Sequence, residues 1–157
     1  MILKRIILCI SIIALFASML NAAPKPDDLV FFVNKESVSA ASISLKELEQ
    51  IFLSKLTEWP DKKSGAIVPY NMALDTPERT ALAKLVLSKS ADDEKKYWVQ
   101  KRIEGKENPP DSKKTAIMVQ MMTSNMKGAV GYCFFKDFKD NPKLSLIKID
   151  GKEGLSE

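Results

Sequence analysis

The chain has 157 residues, 45% of them hydrophobic, with 24 Lys and Arg side chains against 20 Asp and Glu, two cysteines and no histidine. This composition is typical of one small globular domain and excludes disordered, collagen-like and multi-domain chains. The absence of histidine removes the commonest general base and metal ligand and every Ser-His or Cys-His catalytic arrangement. The composition therefore argues against an enzyme.

The N-terminal residues 1–22 have the features of a secretory signal peptide. Lys4 and Arg5 precede an apolar run at residues 6–20, and the segment has no acidic residue. The run is shorter than the roughly 20 residues of a membrane-spanning helix, and small residues follow it at once. We expect cleavage after Ala22, with a cut one residue later as the alternative and an uncleaved anchor as the competing interpretation.

The remaining residues 23–157 carry 22 basic and 20 acidic side chains, a net charge of +2. Opposite charges are interleaved along this part of the chain, and no basic cluster with stacking aromatic residues is present. A nucleic-acid partner or a transmembrane segment is therefore not expected here. After the predicted cleavage Cys133 has no second cysteine to pair with, so no disulfide can form within the domain. Cys133 is instead predicted to be a small core residue. We predict a single periplasmic domain over residues 23–157.

Strand and helix patterns alternate along this domain. Residues 29–33 are apolar and rich in β-forming side chains, which predicts a strand buried on both faces. Ser44 and Glu47 form a capping box, which predicts a helix from about Leu45. Similar arguments predict strands at 66–70, 129–134 and 144–149. They predict helices from Pro77, from Ser90 to about Gly105 and over 113–126. Residues 106–112 are predicted to be a loop and residues 151–157 a tail.

This alternation predicts an α/β fold with a mainly parallel sheet flanked by helices. The helix that begins at Pro77 has a proline at its first position, which is favourable there, and either Asp75 or Thr76 as its cap.

Three segments, taken together, resemble the phosphate ABC transporter substrate-binding proteins. Residues 44–61 contain Ile-Phe-Leu followed by Trp-Pro-Asp, residues 67–69 are Ile-Val-Pro and residues 128–132 are Gly-Ala-Val-Gly-Tyr. The resemblance covers residues 30–132 and implies a type II periplasmic binding-protein fold. Members of that family are considerably longer and close two lobes around the anion. The resemblance therefore implies one lobe, similar to the second, which offers half of a ligand cleft.

In that family an arginine and a Gly-Ser-Gly-Thr turn at a helix N-terminus bind the oxyanion. Here Met72 occupies the position of the arginine, no glycine precedes the helix, and Pro77 lacks an N–H donor. The resemblance implies an oxyanion site, for phosphate or a similar anion, with the candidate ligands Asn71, Thr76, Arg79 and Thr80. The alternative is that Thr76 and its acidic neighbours only cap the helix.

The predicted helix over 113–126 carries Met118, Met121, Met122 and Met126 at spacings that place at least three of them on one face. Thioethers are soft ligands that select Cu(I), although methionines in such a pattern more often fill a core or form a sticky interface. The acidic residues 92–94 suit the first turn of a helix better than a calcium loop. We predict no cofactor and no metal.

Two functions follow. The first is an exported, non-catalytic solute-binding protein that binds phosphate or a similar oxyanion and works with an ABC permease. The second is an interaction module of the cell envelope that has lost ligand binding and acts through a dimer mate or another envelope protein.

Overall fold

The computed structural model describes residues 23–156, and the signal peptide predicted at residues 1–22 lies outside the described residues. Within residues 23–156 six strands form one sheet, in the order β2-β6-β1-β5-β3-β4. The strands are β1 (Leu29–Asn34), β2 (Ser42–Ile43), β3 (Val68–Met72), β4 (Asp111–Lys113), β5 (Ala129–Phe134) and β6 (Leu144–Ile149).

The helices cover the two faces of the sheet unequally. They are α1 (Leu45–Phe52), α2 (Pro77–Leu85), α3 (Ala91–Ile103) and α4 (Ala116–Asn125), and a 3-10 turn (Phe135–Asp137) follows β5. On one face α1 packs against the sheet through Phe52, whose ring lies 5.4 Å from that of Tyr132, and α2 and α3 pack beside it. On the other face α4 packs against β1 and β5. No helix among residues 23–156 is long and apolar enough to cross a bilayer.

The central strand is β1, as its sequence predicts. All six of its residues are buried, which confirms that the strand is covered on both faces. It pairs with β5 on one side and with β6 on the other, and both pairings are antiparallel. Its alternate side chains reach opposite layers: the Phe31 ring lies 6.2 Å from that of Phe52, and the Phe32 ring lies 5.3 Å from that of Phe138.

The predicted α/β fold class is confirmed. The pairings of β2 with β6, β3 with β5 and β3 with β4 are parallel, and only the two pairings of β1 are antiparallel. All strands except β1 run in the same direction, so their C-terminal ends lie at one end of the sheet. The N-termini of α1, α2 and α4, which follow β2, β3 and β4, lie at the same end.

Local capping signals place the helices well. The capping box of α1 is present, with the Glu47 N–H donating to Ser44 Oγ at 3.2 Å and the Ser44 N–H donating to Glu47 Oε2 at 2.8 Å. The Ser44 N–H, and to a smaller extent the Ser44 hydroxyl, which also donates to Glu47 Oε2 at 2.8 Å, lower the pKa of Glu47. The caps of α2 and α3 are Thr76 and Ser90, and α3 ends two residues before Gly105, close to the predicted bounds.

Several predicted bounds are wrong at the sheet edges. The loop expected at 106–112 gives way to β4 at Asp111, because these polar residues pair with β3 beyond the rigid prolines 109 and 110. As a consequence α4 begins only at Ala116, after its cap Thr115. The second predicted strand is shifted by two residues, from 66–70 to Val68–Met72. The expected tail is tied down, because Leu155 and Leu29 exchange backbone hydrogen bonds of 2.8 and 2.9 Å.

The residues behind the family resemblance are used in packing. Trp59 is buried, and its Nε1–H donates to the carbonyl of Gly128 at 3.0 Å. Gly128 has a φ of +72°, and a Cβ there would lie 2.0 Å from the Ala66 carbonyl oxygen. At Gly131 a Cβ would meet side chains of α4 at 2.6 Å. These positions therefore hold α4, β5 and the start of β3 together. They lie towards the N-terminal ends of β3 and β5, at the opposite end of the sheet from the N-termini of α1, α2 and α4.

We predict that Gly128→Ala destabilises the domain by about 2–5 kcal/mol, because the left-handed φ and the backbone clash add. Gly65→Ala is the matched control, since Gly65 has the same φ of +72° but open space around its Cβ position. It should cost only about 1–2 kcal/mol. Urea unfolding followed by circular dichroism measures both, and equal losses in the two variants would contradict the packing argument.

Candidate functional site

The N-terminus of α2 is closed by its own residues. Thr76, rather than Asp75, is the cap: its Oγ1 accepts from the Arg79 N–H at 3.3 Å and donates to the Ala73 carbonyl at 2.8 Å. The Thr80 N–H donates to the Thr76 carbonyl at 3.2 Å, and Pro77 has no N–H. Few backbone donors in this first turn are therefore left for an anion.

Arg79 forms a buried ion pair with Glu94 of α3. Its Nε donates to Glu94 Oε2 at 3.0 Å, its Nη2 donates to Glu94 Oε1, and its Nη1 donates to the Met72 carbonyl at 3.3 Å. The Arg79 and Glu94 side chains are 5% and 1% exposed. Trp98 Nε1 also approaches Glu94 Oε1, at 3.4 Å. The guanidinium charge is thus already balanced inside the protein.

The ion pair of Arg79 with Glu94 was not predicted from the sequence. The acidic run 92–94 was expected to serve the first turn of α3, and Asp93 does so, because its N–H donates to Ser90 Oγ at 3.1 Å. The Ser90 hydroxyl in turn donates to Asp93, which lowers the pKa of that carboxyl. Glu94, one residue later, instead faces inward. Its spacing of four from the buried Trp98 was the available signal for that orientation.

Asn71 is a buried residue of β3, in the same sheet as Tyr132 of β5. The Tyr132 hydroxyl donates to Asn71 Oδ1 and accepts from the Met72 N–H at 3.1 Å. Burial raises the pKa of Tyr132, so its hydroxyl stays protonated as a donor. Asn71 Nδ2 is buried and has no hydrogen-bond partner within the described residues. Asn71 is therefore part of the buried core, near the C-terminal end of β3.

Thr80 faces a separate, open groove of about 820 Å³, which lies at the end of the sheet where the parallel strands terminate. One face of α2 forms a wall of this groove, and the chain segments at 25–28 and 155–156 form the other. The floor is apolar and includes Pro77, Ala81, Leu85, Phe134 and Leu155.

A second, smaller pocket concentrates positive charge. Its volume is about 110 Å³, and it lies between the start of α2, one face of α3 and the segment that leads into β4. Lys95, Trp98 and Arg102 contribute from α3 at spacings of three and four, as residues on one helical face do. The lining residues are Leu74, Arg79, Lys95, Trp98, Arg102, Pro109, Pro110 and Ser112, none of which is acidic.

The four residues of the predicted oxyanion site thus have four different surroundings. Arg79 lines the basic pocket, Thr80 lines the groove, and Thr76 and Asn71 are engaged by the helix cap and by Tyr132. Lys95 and Arg102, which were not candidates from the sequence, line the same pocket as Arg79, and the ion pair with Glu94 holds their helix α3 against α2.

No protein-family model matches the sequence, and no curated protein matches it either. Solved structures do resemble it. A Clostridium perfringens protein described as a phosphate ABC transporter substrate-binding protein, with bound phosphate, has a TM-score of 0.63 at 18% identity, over 82% of this chain and 47% of its own. An ABC-type phosphate transport receptor from Vibrio cholerae has a TM-score of 0.62 at 13% identity, over 82% of this chain and 49% of its own. PstS from Borrelia burgdorferi has a TM-score of 0.57 at 14% identity, over 80% of this chain and 48% of its own.

The chain has the fold of one lobe of a periplasmic binding protein-like structure. It spans about half the length of these structures. The resemblance in the sequence is thereby confirmed at the level of fold.

We predict that the Arg79–Glu94 pair stabilises the domain only as a pair. Glu94→Leu should cost about 3–5 kcal/mol, because it leaves the guanidinium buried without its partner, whereas Arg79→Met with Glu94→Leu should recover most of that loss. Lys106→Gln is the control, since its exposed partner Glu104 lies 3.0 Å away at the surface, and it should cost less than about 1 kcal/mol. Urea titrations decide, and a double variant as unstable as Glu94→Leu would refute the pairing.

Alkaline pH should destabilise the domain through Cys133. Burial, with smaller contributions from Asp137 and Glu78, raises the pKa of this thiol to about 12 from an ordinary value of 9.0. The unfolded chain therefore loses the proton first, and stability, complete below pH 9, falls by up to about 1.4 kcal/mol per pH unit between 9 and 12. Cys133→Ala should remove this part of the slope in urea titrations at pH 8 to 10.5. An unchanged slope would contradict the assignment.

Proposed function

We propose that the protein is an exported, non-enzymatic binding protein of the periplasm that takes a small oxyanion, phosphate foremost, in the basic pocket. The observation that carries this proposal is the convergence of Arg79, Lys95 and Arg102 on one small cavity without a lining carboxylate. The predicted signal peptide at residues 1–22 supports export. Because the structural neighbours are described as transporter-linked binding proteins, we propose an ABC permease as the partner.

Charge and size both favour such a ligand. Arg79 is balanced by Glu94, but Lys95 and Arg102 have exposed side chains that bring a net positive charge to the mouth of the pocket. The Ser112 hydroxyl adds a neutral donor. A volume of about 110 Å³ is small beside the roughly 300–1,000 Å³ of pockets that hold larger organic ligands. The pocket therefore suits a tetrahedral oxyanion and is too small for a nucleotide.

In this pocket the anion lies beside α3 and the Arg79 side chain, and not against the N-terminal backbone of α2 that the family resemblance implies. Of the four residues predicted there only Arg79 is kept, as a buried wall of the pocket. Thr76 keeps its role as cap, and Asn71 and Thr80 are left out. The solved structure with bound phosphate supports phosphate as the first ligand to test.

Isothermal titration calorimetry with phosphate, sulfate and molybdate at low salt tests the proposal. Lys95→Gln with Arg102→Gln should weaken binding about tenfold or more, because charge-assisted hydrogen bonds contribute about 1.5–3 kcal/mol each. Added salt should weaken binding further. Both side chains are exposed, so the variant should fold normally.

Lys96→Gln is the matched control, because Lys96 is exposed next to Lys95, lies 3.8 Å from Asp93 and does not line the pocket. It should bind as the wild type does. The absence of heat at millimolar anion in the wild type would reject solute binding, and equal weakening in control and double variant would reject this pocket as the site.

A second candidate, an interaction module, is favoured by the neutralised Arg79 and by the apolar floor of the groove beside α2. We propose a second copy of the chain as the occupant, facing the groove across a two-fold axis and supplying the opposite wall of the cleft. Light scattering distinguishes the two: a dimer that Leu85→Glu dissociates would support the module, and a monomer at high concentration would reject it.

A further inference from the structure

The outer face of α4 is an unusual surface for a soluble domain. The helix uses Val119 and Thr123 against the sheet, yet its opposite side exposes Ile117 by 60%, Met121 by 52% and Met118 by 40%. The ten residues of α4 include no charged side chain. Surface helices normally place charged or polar residues on this side, so an exposed face of this kind points to a function.

Three methionines on this face are close enough to act together. Met118, Met121 and Met122 stand at i, i+3 and i+4, where neighbouring Cβ atoms are about 5–6 Å apart. Met122 is partly buried at the margin of the core, which fixes one side of the cluster, while the other two side chains reach solvent. Each thioether ends a chain of three rotatable bonds, so the three sulfur atoms can converge on one point.

The alternative role, that of core filler, fails for most of the methionines singled out in the sequence. Met118, Met121 and also Met126, just past the end of α4, are 40–52% exposed. A cluster of thioethers offers soft, uncharged ligands, which select Cu(I) over hard cations. Among the described residues no group of three or more Asp, Glu, His or Cys side chains forms a competing metal site.

We infer that the outer face of α4 binds one Cu(I) ion through the thioether sulfurs of Met118, Met121 and Met122. The site is independent of the proposed oxyanion pocket, which lies between α2 and α3. The ligands are neutral and lose no proton when the ion binds, so binding should change little between pH 6 and 8.

The test is an anaerobic titration of the purified protein with Cu(I), in competition with chromophoric Cu(I) chelators of graded strength. We expect one equivalent to bind. Met118→Leu, Met121→Leu and Met122→Leu together keep the size and apolarity of the face. This triple variant should bind Cu(I) at least about 10–100-fold more weakly, since even the loss of outer-shell partners costs that much at metal sites.

Ile117→Ala is the matched control: it removes apolar surface from the same face and leaves every sulfur in place, so Cu(I) affinity should be unchanged. Ag(I), a closed-shell stand-in, should shift the methyl NMR signals of the three ligands and leave that of the buried Met72 unmoved. Absence of Cu(I) binding to the wild type, or equal affinity in the triple variant, would overturn the site. Equal weakening by Ile117→Ala would show a role for apolar surface alone and would overturn it as well.

Discussion

The buried pair of Arg79 and Glu94 is the interaction on which the arrangement of this side of the molecule depends. It joins the first turn of α2 to the first turns of α3 and, through the Met72 carbonyl, to the end of β3. Two charges out of water are stable only when each satisfies the other, so the pair fixes where α3 can lie. The basic pocket exists because of that constraint, since Lys95 and Arg102 are carried on the helix that Glu94 anchors.

The parts of the fold that could be predicted are those that short stretches of sequence specify. Ser44 with Glu47 defines a helix start through contacts three residues apart, and the apolar run at residues 29–33 predicts a strand covered on both faces. The edge strands β2 and β4 were not predictable in this way. They are only two and three residues long, β4 is wholly polar, and both are strands only because β6 and β3 pair with them.

The site was less predictable than the fold for the same reason. Arg79 was identified as a candidate, but its partner lies 15 residues away on another helix, and no local pattern reports such a contact. The antiparallel direction of β1 likewise depends on partners far along the chain. By contrast, Trp59 and Gly128 were recognised from their order in the sequence, and they turn out to be packing residues. This explains why the resemblance predicts the fold well and the ligand poorly: its most specific positions describe how the lobe is assembled.

The antiparallel pairings of β1 have a consequence for how the chain acquires its structure. The first strand to be synthesised is the centre of the sheet, but both of its neighbours come from residues 129–149, and Leu155 completes its start. Closing such long loops is entropically costly, and topologies dominated by them fold slowly. The central strand cannot be covered until nearly the whole domain has left the ribosome. A chain that stays open for so long is well suited to crossing a membrane before it folds, as its predicted export requires.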